Sequence, residues 1–372
     1  MNNSIRKIAF AIPSLGSGGA ERVVSILANE LVQRGYDVSV IMVGNDCVAY
    51  PVLNQVKLIK LNCEQLYGKE NTAPRFYHRI KKIRSAIANN KFDLVISFMS
   101  EVSIDVCLAV LGMRIPVIVS ERNDPAIDPA SRAKQLMRKI LYFRANGYVF
   151  QTPDAQAYFD RRIQRKSCII LNPLTTQMME PYTGLREQRI VAVGRLNRQK
   201  NYSLLLSAFA DFSQEFPDMI LEIYGDGPQR QEIEDQIRTL FLQEKVLMKG
   251  FCKDVHQQIY NAAFFVMTSD FEGMPNALLE AMALGLPCIS TDCRCGGPRM
   301  MIDHGTSGLL VPTGDREALC EAMANLASDP AYAKSLGEKA QEIKERVNTA
   351  VIVEQWVAYM EQICGLRRKN ET

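Results

Sequence analysis

RKIAFAIPSLGSGGAER, residues 6–22, decides the fold. It opens with a short apolar run of strand length, breaks at a glycine loop over residues 16–22, and passes into apolar residues at helical spacing over 20–34. Strand, tight loop and helix in that order form the first half of a βαβ unit. Downstream the alternation continues: strand-like DVSVIMV, a helix over 75–88, DLVISF, a helix from Glu101, PVIVS, a helix over 130–146 and GYVFQ. A polar stretch at 175–188 interrupts it, and RIVAVG restarts it at residue 189. A helix over 202–216, MILEIYG, a helix after Gly227 and Pro228, KVLMKGF, FFVMTS, a helix over 276–283, PCIST, GLLVP and a helix over 316–328 follow. Two last helices are expected over 331–346 and 349–363, the second holding Trp356, the chain's one tryptophan. The expectation is α/β, with two doubly wound parallel-sheet domains and a linker near 173–188. Since ligands of such sheets bind beyond the carboxyl ends of the strands, the site is expected in the cleft between the domains.

Composition supports this reading. A chain of 372 residues exceeds what one core fills, so two domains are natural. With 47% hydrophobic and 23% charged residues, a mainly disordered chain is excluded. The absence of a long apolar run or cleavage signature at the start points away from a spanning or secreted protein, and the ten scattered cysteines read as reduced cytosolic thiols. Charge is uneven: residues 1–186 carry 25 Lys+Arg against 15 Asp+Glu, and residues 187–372 carry 19 against 26. A basic first half suits an anionic membrane, a phosphorylated substrate or nucleic acid, and charge alone does not choose among them.

Three segments could carry chemistry. In the first loop, Gly18 and Gly19 would let backbone approach a phosphate or sugar at a helix N-terminus, or simply make a tight turn. Beyond the strand ending at Gly194, Arg195 and Lys200 stand where a diphosphate would lie, although exposed basic residues are commonly only solvated. In the segment from Phe271 to Ala281, Glu272 sits in a glycine loop with Gly273, Met274 and Pro275. Glu280 follows eight residues later, in a helix that Asn276 is expected to cap. Glu280 has a structural explanation in the helix macrodipole, whereas Glu272 has none so plain. Cys293 and Cys295 invite a metal reading, but no second Cys or His pair stands at zinc-like spacing, so no metal is expected.

GSGGAER, VGRLNRQKN, IYGDGP, SDFEGMPNALLEAMALGLP and GTSGLLVPTGD, in this order, resemble family 4 of the retaining nucleotide-sugar glycosyltransferases over nearly the whole chain. The resemblance implies the GT-B fold, two Rossmann-like domains facing across a cleft. Residues 1–175 would bind acceptor and 188–348 the nucleotide-sugar donor, while 349–372 would form a C-terminal helix and tail packing back on the first domain. It further implies that Glu272 contacts the donor sugar, Glu280 the ribose, Arg195 and Lys200 the diphosphate, and Gly18 and Gly19 approach the donor. Two departures stand out. Arg122, in the segment Glu121-Arg122-Asn123, occupies the place where many relatives carry a histidine, and an arginine cannot serve as a base at neutral pH. Met300 stands where relatives commonly carry an acid. Glu121 and Arg122 are therefore acceptor-side candidates for holding charge or orienting substrate.

The activity so implied is metal-independent, retaining transfer of a hexose or N-acetylhexosamine from a UDP-sugar, a co-substrate and not a resident cofactor. The acceptor would be a polyprenyl-diphosphate-linked glycan of O-antigen, capsule or exopolysaccharide synthesis, with no nucleic acid partner. Alternatives are a sugar-nucleotide enzyme without a glycan acceptor and a silent glycan-binding scaffold. The expected location is the cytoplasmic face of the inner membrane, held by basic helices. Arg75, Arg79, Lys81, Lys82 and Arg84 form one cluster and Arg132, Lys134, Arg138 and Lys139 another, with Phe76 and Tyr77 dipping into the anionic inner leaflet.

Overall fold

The structure, a computed structural model, describes residues 5–63, 73–174 and 179–371. Residues 175–178 of the expected linker and the terminal residue 372 lie outside the described residues. The chain forms two compact units, Met1–Pro173 with Thr349–Thr372, and Leu174–Asn348.

The first unit runs β1 (Lys7–Ile12), α1 (Gly19–Gln33), β2 (Asp37–Met42), β3 (Lys57–Lys60), α2 (Ala73–Asn90), β4 (Leu94–Phe98), α3 (Ser100–Ala109), β5 (Val117–Ser120), α4 (Arg132–Leu141), β6 (Gly147–Phe150), α5 (Pro153–Ala157), α6 (Arg161–Gln164) and β7 (Ser167–Ile169). Its sheet is wholly parallel, in the order β3-β2-β1-β4-β5-β6-β7. The middle strands β1, β4, β5 and β6 are buried almost throughout, as a parallel sheet covered on both faces requires. α1 seats on the sheet through Val23, Val24, Leu27, Ala28 and Leu31, one stripe of the helix.

The second unit repeats the plan with β8 (Glu187–Val193), α7 (Tyr202–Glu215), β9 (Ile220–Tyr224), α8 (Arg230–Thr239), β10 (Val246–Gly250), α9 (Val255–Ile259), β11 (Ala262–Met267), α10 (Asn276–Ala283), β12 (Cys288–Thr291), α11 (Gly297–Met301), β13 (Leu309–Val311), α12 (Arg316–Ser328), α13 (Pro330–Ala340) and α14 (Ile343–Arg346). Its parallel order is β10-β9-β8-β11-β12-β13. In each sheet the order reverses once, between β1 and β4 and between β8 and β11. Loops diverge there to opposite faces and leave a crevice at the carboxyl edge.

The final helix, α15 (Thr349–Glu371), belongs to the first unit. It buries Ile352, Val353, Trp356, Tyr359, Met360 and Ile363 in the core around β1 and β4, and the Trp356 ring stacks on Phe98 at 5.8 Å. Tyr359 Oη accepts from the Tyr148 N–H at 2.8 Å and donates to the Lys166 carbonyl at 2.5 Å. This close approach depends on Gly147, where a Cβ would fall 2.6 Å from Tyr359 Oη.

Two helices are shorter than expected. The 130–146 segment is helical only over Arg132–Leu141, followed by a 3-10 turn at Tyr142–Arg144, because the Asn146 N–H is drawn to the Val117 carbonyl and the chain must extend into β6. The 331–346 segment divides into α13 and α14, since at Glu342 and Lys344 the N–H groups turn to carbonyls three residues back.

Candidate functional site

In the second unit, β8 and β11 are neighbours, so the segments that follow them leave the sheet side by side. After β8, Leu196 is buried and Asn197 caps a 3-10 turn over Arg198–Lys200, its Oδ1 accepting from Lys200 N at 3.2 Å. Asn201 then takes a left-handed φ of 45° and caps α7 by accepting from Leu204 N. Thr268, just past β11, donates to the carbonyls of Lys200 and Asn201 at 3.0 Å and pins this turn to the neighbouring strand end. The result is an ion pair across the point where the sheet reverses: Lys200 Nζ lies 2.6 Å from Glu272 Oε1, with side chains only 15% and 10% exposed. Ser269 Oγ donates to the same oxygen at 2.9 Å. Both contacts fall on Oε1, and Glu272 Oε2 has no hydrogen-bond partner among the described residues.

Arg195, in contrast, is exposed, and its guanidinium has no partner among the described residues. The two cations are thus unlike. The expectation that both stand at an exposed strand end holds for Arg195 and is corrected for Lys200, which is largely shielded from solvent and paired with a buried carboxylate.

Glycines set the walls. Gly225 has φ 145°, and a Cβ there would lie 1.9 Å from the Gly194 carbonyl, so the loop after β9 rests directly on the strand end that carries Arg195. A Cβ on Gly297 would lie 1.6 Å from the Gly273 carbonyl, which fits the start of α11 against the loop of Glu272, Gly273, Met274 and Pro275. Met300 lies in this short helix, and its carbonyl accepts from Arg346 at 2.8 Å. Cys293 and Cys295 are buried, and burial pushes the Cys293 thiol well up, with Glu272 adding to it. No group of three or more His, Cys, Asp or Glu able to hold a metal occurs among the described residues.

α10 departs from expectation at both ends of its motif. Pro275, not Asn276, occupies the cap position, no side chain caps it, and Asn276 is the first helical residue. Glu280 is fifth in the helix, beyond the first turn where the macrodipole would account for it. What meets it is His256 on α9, whose Nε2 lies 2.8 Å from Glu280 Oε2. Sequence reading passed His256 over, because it belongs to no recognised motif and lies 24 positions from its partner.

In the first unit, Gly18 is the extended cap residue of α1 and Gly19 its first helical residue. Glu21 folds back over the turn, so that a Cβ on Gly18 would sit 2.2 Å from Glu21 Oε2. Glu121 and Arg122 follow β5. Glu121 is 2% exposed, accepts a short hydrogen bond from Tyr142 Oη, and is pushed up to about 7 by burial, against the pull of Arg138 and of that bond. Arg122 donates to Asn172 Oδ1 at 2.8 Å and lies over the Phe98 ring at 4.3 Å and the Trp356 ring at 5.7 Å. Burial lowers it to about 9, and its Nε and Nη2 find no partner among the described residues. Phe98, Asn172 and Trp356 come from three distant parts of the chain, and no local pattern marks them as neighbours of Arg122.

Comparison with known proteins agrees with this architecture. Residues 182–343 match the model of glycosyl transferases group 1, and residues 17–177 that of glycosyltransferase family 4. An N-acetylgalactosaminyltransferase of Campylobacter jejuni, named for adding α-1,4-N-acetylgalactosamine to a diphospho-undecaprenol-linked glycan, is 27% identical over 96% of this chain and 99% of its own. Among solved structures, the fold is shared with sucrose-phosphate synthase from Thermosynechococcus elongatus, TM-score 0.84 at 20% identity over 97% of this chain and all of that one. It is shared as well with Anabaena HepE in complex with UDP and glucose, TM-score 0.79 at 18% identity over 96% and 99% of the two chains.

Proposed function

The chain belongs to the group 1 and family 4 glycosyltransferases, built as two parallel-sheet domains of the GT-B type, and from this premise we propose that it transfers a hexose or N-acetylhexosamine from a UDP-sugar to a polyprenyl-diphosphate-linked glycan. The observation that carries the proposal is the Lys200–Glu272 pair at the carboxyl edge where β8 and β11 part, with exposed Arg195 on the adjoining loop. The acceptor class follows from the diphospho-undecaprenol substrate for which the Campylobacter relative is named. A UDP donor accords with the ligand of HepE.

In this reading Arg195 meets the diphosphate directly. Lys200, held by Glu272, shares its charge as the leaving group departs, so the cations take the place a metal would otherwise fill. Glu272 Oε2 orients the donor sugar, and Glu280, turned by His256, takes the ribose hydroxyls. The acceptor hydroxyl attacks from the face that the diphosphate leaves, and its proton passes to the departing phosphate oxygen, so configuration is retained. Glu121 and Arg122 orient the acceptor, and Gly18 and Gly19 bring the start of α1 to the donor. The protein works at the cytoplasmic face of the inner membrane, and no helix among the described residues is long and apolar enough to cross it.

The test is a donor screen with a short-chain polyprenyl-diphosphate glycan in excess EDTA, the anomeric configuration of the product read by NMR. A retained anomeric centre at full rate in EDTA, with turnover of Arg195→Ala lowered about a hundred- to a thousandfold, supports the proposal. Inversion, or activity that returns only with magnesium or manganese, overturns it.

A further inference from the structure

The basic helices are not equivalent once folded. On α2, Arg79 is buried and paired with Asp105 at 2.7 Å, Lys82 donates to the Leu61 carbonyl, and Arg84 donates to those of Ala109 and Leu111. Much of the charge expected to face a membrane there is thus spent inside the unit. Phe76 lies against the Arg79 guanidinium and is only partly exposed.

α4 shows the opposite. Leu136 and Ile140 are 61% and 63% exposed, and Phe143, one turn on, is 48% exposed. Isolated apolar side chains on a surface mean little, but three large ones in a row on one face are a feature of helices that lie in a lipid interface. Arg132 and Lys139 are exposed too, and with Leu136 and Ile140 they fall within about 100° of the helix circumference at 3.6 residues per turn. Arg162, from α6, lies with its guanidinium 5.7 Å from the Phe143 ring. From 131 to 166 the chain holds nine Lys+Arg against two Asp.

The inner side of α4 is fastened. Arg138 is buried and donates to the carbonyls of Asp128 and Pro125 at 2.6 and 2.5 Å, Lys134 pairs with Glu101 at 2.5 Å, and Tyr142 holds Glu121. The helix therefore cannot roll its apolar stripe inward. A second copy of the chain is a poor occupant, because a symmetric contact would set this excess of positive charge against itself.

We propose that the outer face of α4 is a docking surface for an anionic lipid bilayer: Leu136, Ile140 and Phe143 enter the acyl boundary while Arg132, Lys139 and Arg162 meet headgroup phosphates. This deepens the reading of a lipid-linked acceptor and rests on it for biological purpose. Because Arg138 and Tyr142 also hold the segment that carries Glu121, docking fixes the acceptor-side residues at a set depth from the lipid.

The experiment is sedimentation of the full chain with phosphatidylcholine vesicles, with and without phosphatidylglycerol, without donor or acceptor. The parent protein pellets with the anionic vesicles. Leu136→Asn with Ile140→Asn, two exposed positions, lowers partitioning about tenfold or more. Arg132→Gln with Lys139→Gln weakens binding to anionic vesicles, and Tyr77→Ser with Lys81→Gln on α2 leaves it unchanged. Turnover of a short-chain, water-soluble acceptor by the apolar variant stays at the parental level. The proposal is overturned if the parent fails to pellet, if the apolar variant pellets like the parent, or if that variant alters only self-association in sedimentation equilibrium. Since binding is read without turnover, a protein that pellets but transfers no sugar refutes the catalytic reading alone, and one that transfers sugar but does not pellet refutes the docking surface alone.

Discussion

Replacing Lys200 by methionine keeps the apolar stem of the side chain and removes its charge, leaving Glu272 facing a site built for a cation. At 15% and 10% exposure the pair lies between a surface ion pair, worth up to about 1 kcal/mol, and a fully buried one, whose disruption costs about 3–5 kcal/mol. Ser269 still donates to Glu272 Oε1, which softens the loss, so Lys200→Met should destabilise the protein by about 2 kcal/mol. Adding Glu272→Gln removes the stranded charge and should restore most of that stability. Turnover should behave differently: the charge that stabilises the leaving group is absent from both variants, so each loses about a hundred- to a thousandfold in kcat. Urea denaturation of parent, both single variants and the double variant yields the coupling energy, and steady-state kinetics of the same four proteins yields the catalytic loss. Parental stability in Lys200→Met would refute the ion pair. A double variant that regains turnover together with stability would show that the pair only supports the fold.

Three more outcomes are expected. His256→Leu should raise the donor KM about tenfold with kcat little changed, whereas His256→Gln, which can still hydrogen-bond Glu280, should fall between; equal effects on KM and kcat would contradict a positioning role. Because burial raises the Glu121 carboxyl from its ordinary 4.5 to about 7, the folded state holds a proton that the unfolded state has lost between those values. Stability should therefore fall as pH rises from about 4.5 to about 7, and Glu121→Gln should flatten that slope in denaturation followed by Trp356 fluorescence. Gly297→Ala would drive a Cβ to within 1.6 Å of the Gly273 carbonyl, so it should displace the Glu272 loop and weaken donor binding, read by titration with UDP, while Gly365→Ala, at a helical glycine with open space around its Cβ, should leave UDP binding unchanged.

The sequence by itself determined the second sheet and the five inner strands of the first, because strand and helix periods, glycine loops and the polar break near 175–188 are local properties that each segment carries with it. The short edge strands β3 and β7, only partly buried, carry too weak an apolar run to be read and form only by pairing with β2 and β6. The sequence placed Arg195, Lys200 and Glu272 near the carboxyl edge of one sheet for the same local reason: each follows closely on a strand. Tertiary structure alone decided what those groups face. Whether Lys200 is solvated or paired depends on a 3-10 turn held by Thr268 from another strand, and Glu280 meets His256 only because α9 and α10 pack together. Arg122 could be read as unfit for base chemistry from its residue type, but its stacking on Phe98 and Trp356 needs a helix from the far end of the chain. The same holds for the basic helices. Sequence counts charges on a segment, and only the fold decides that Arg79 and Arg138 turn inward to meet a carboxylate and carbonyls while Leu136 and Ile140 remain in water. Burial and pairing are relations between residues distant in the chain, so they exist only once the chain has closed on itself.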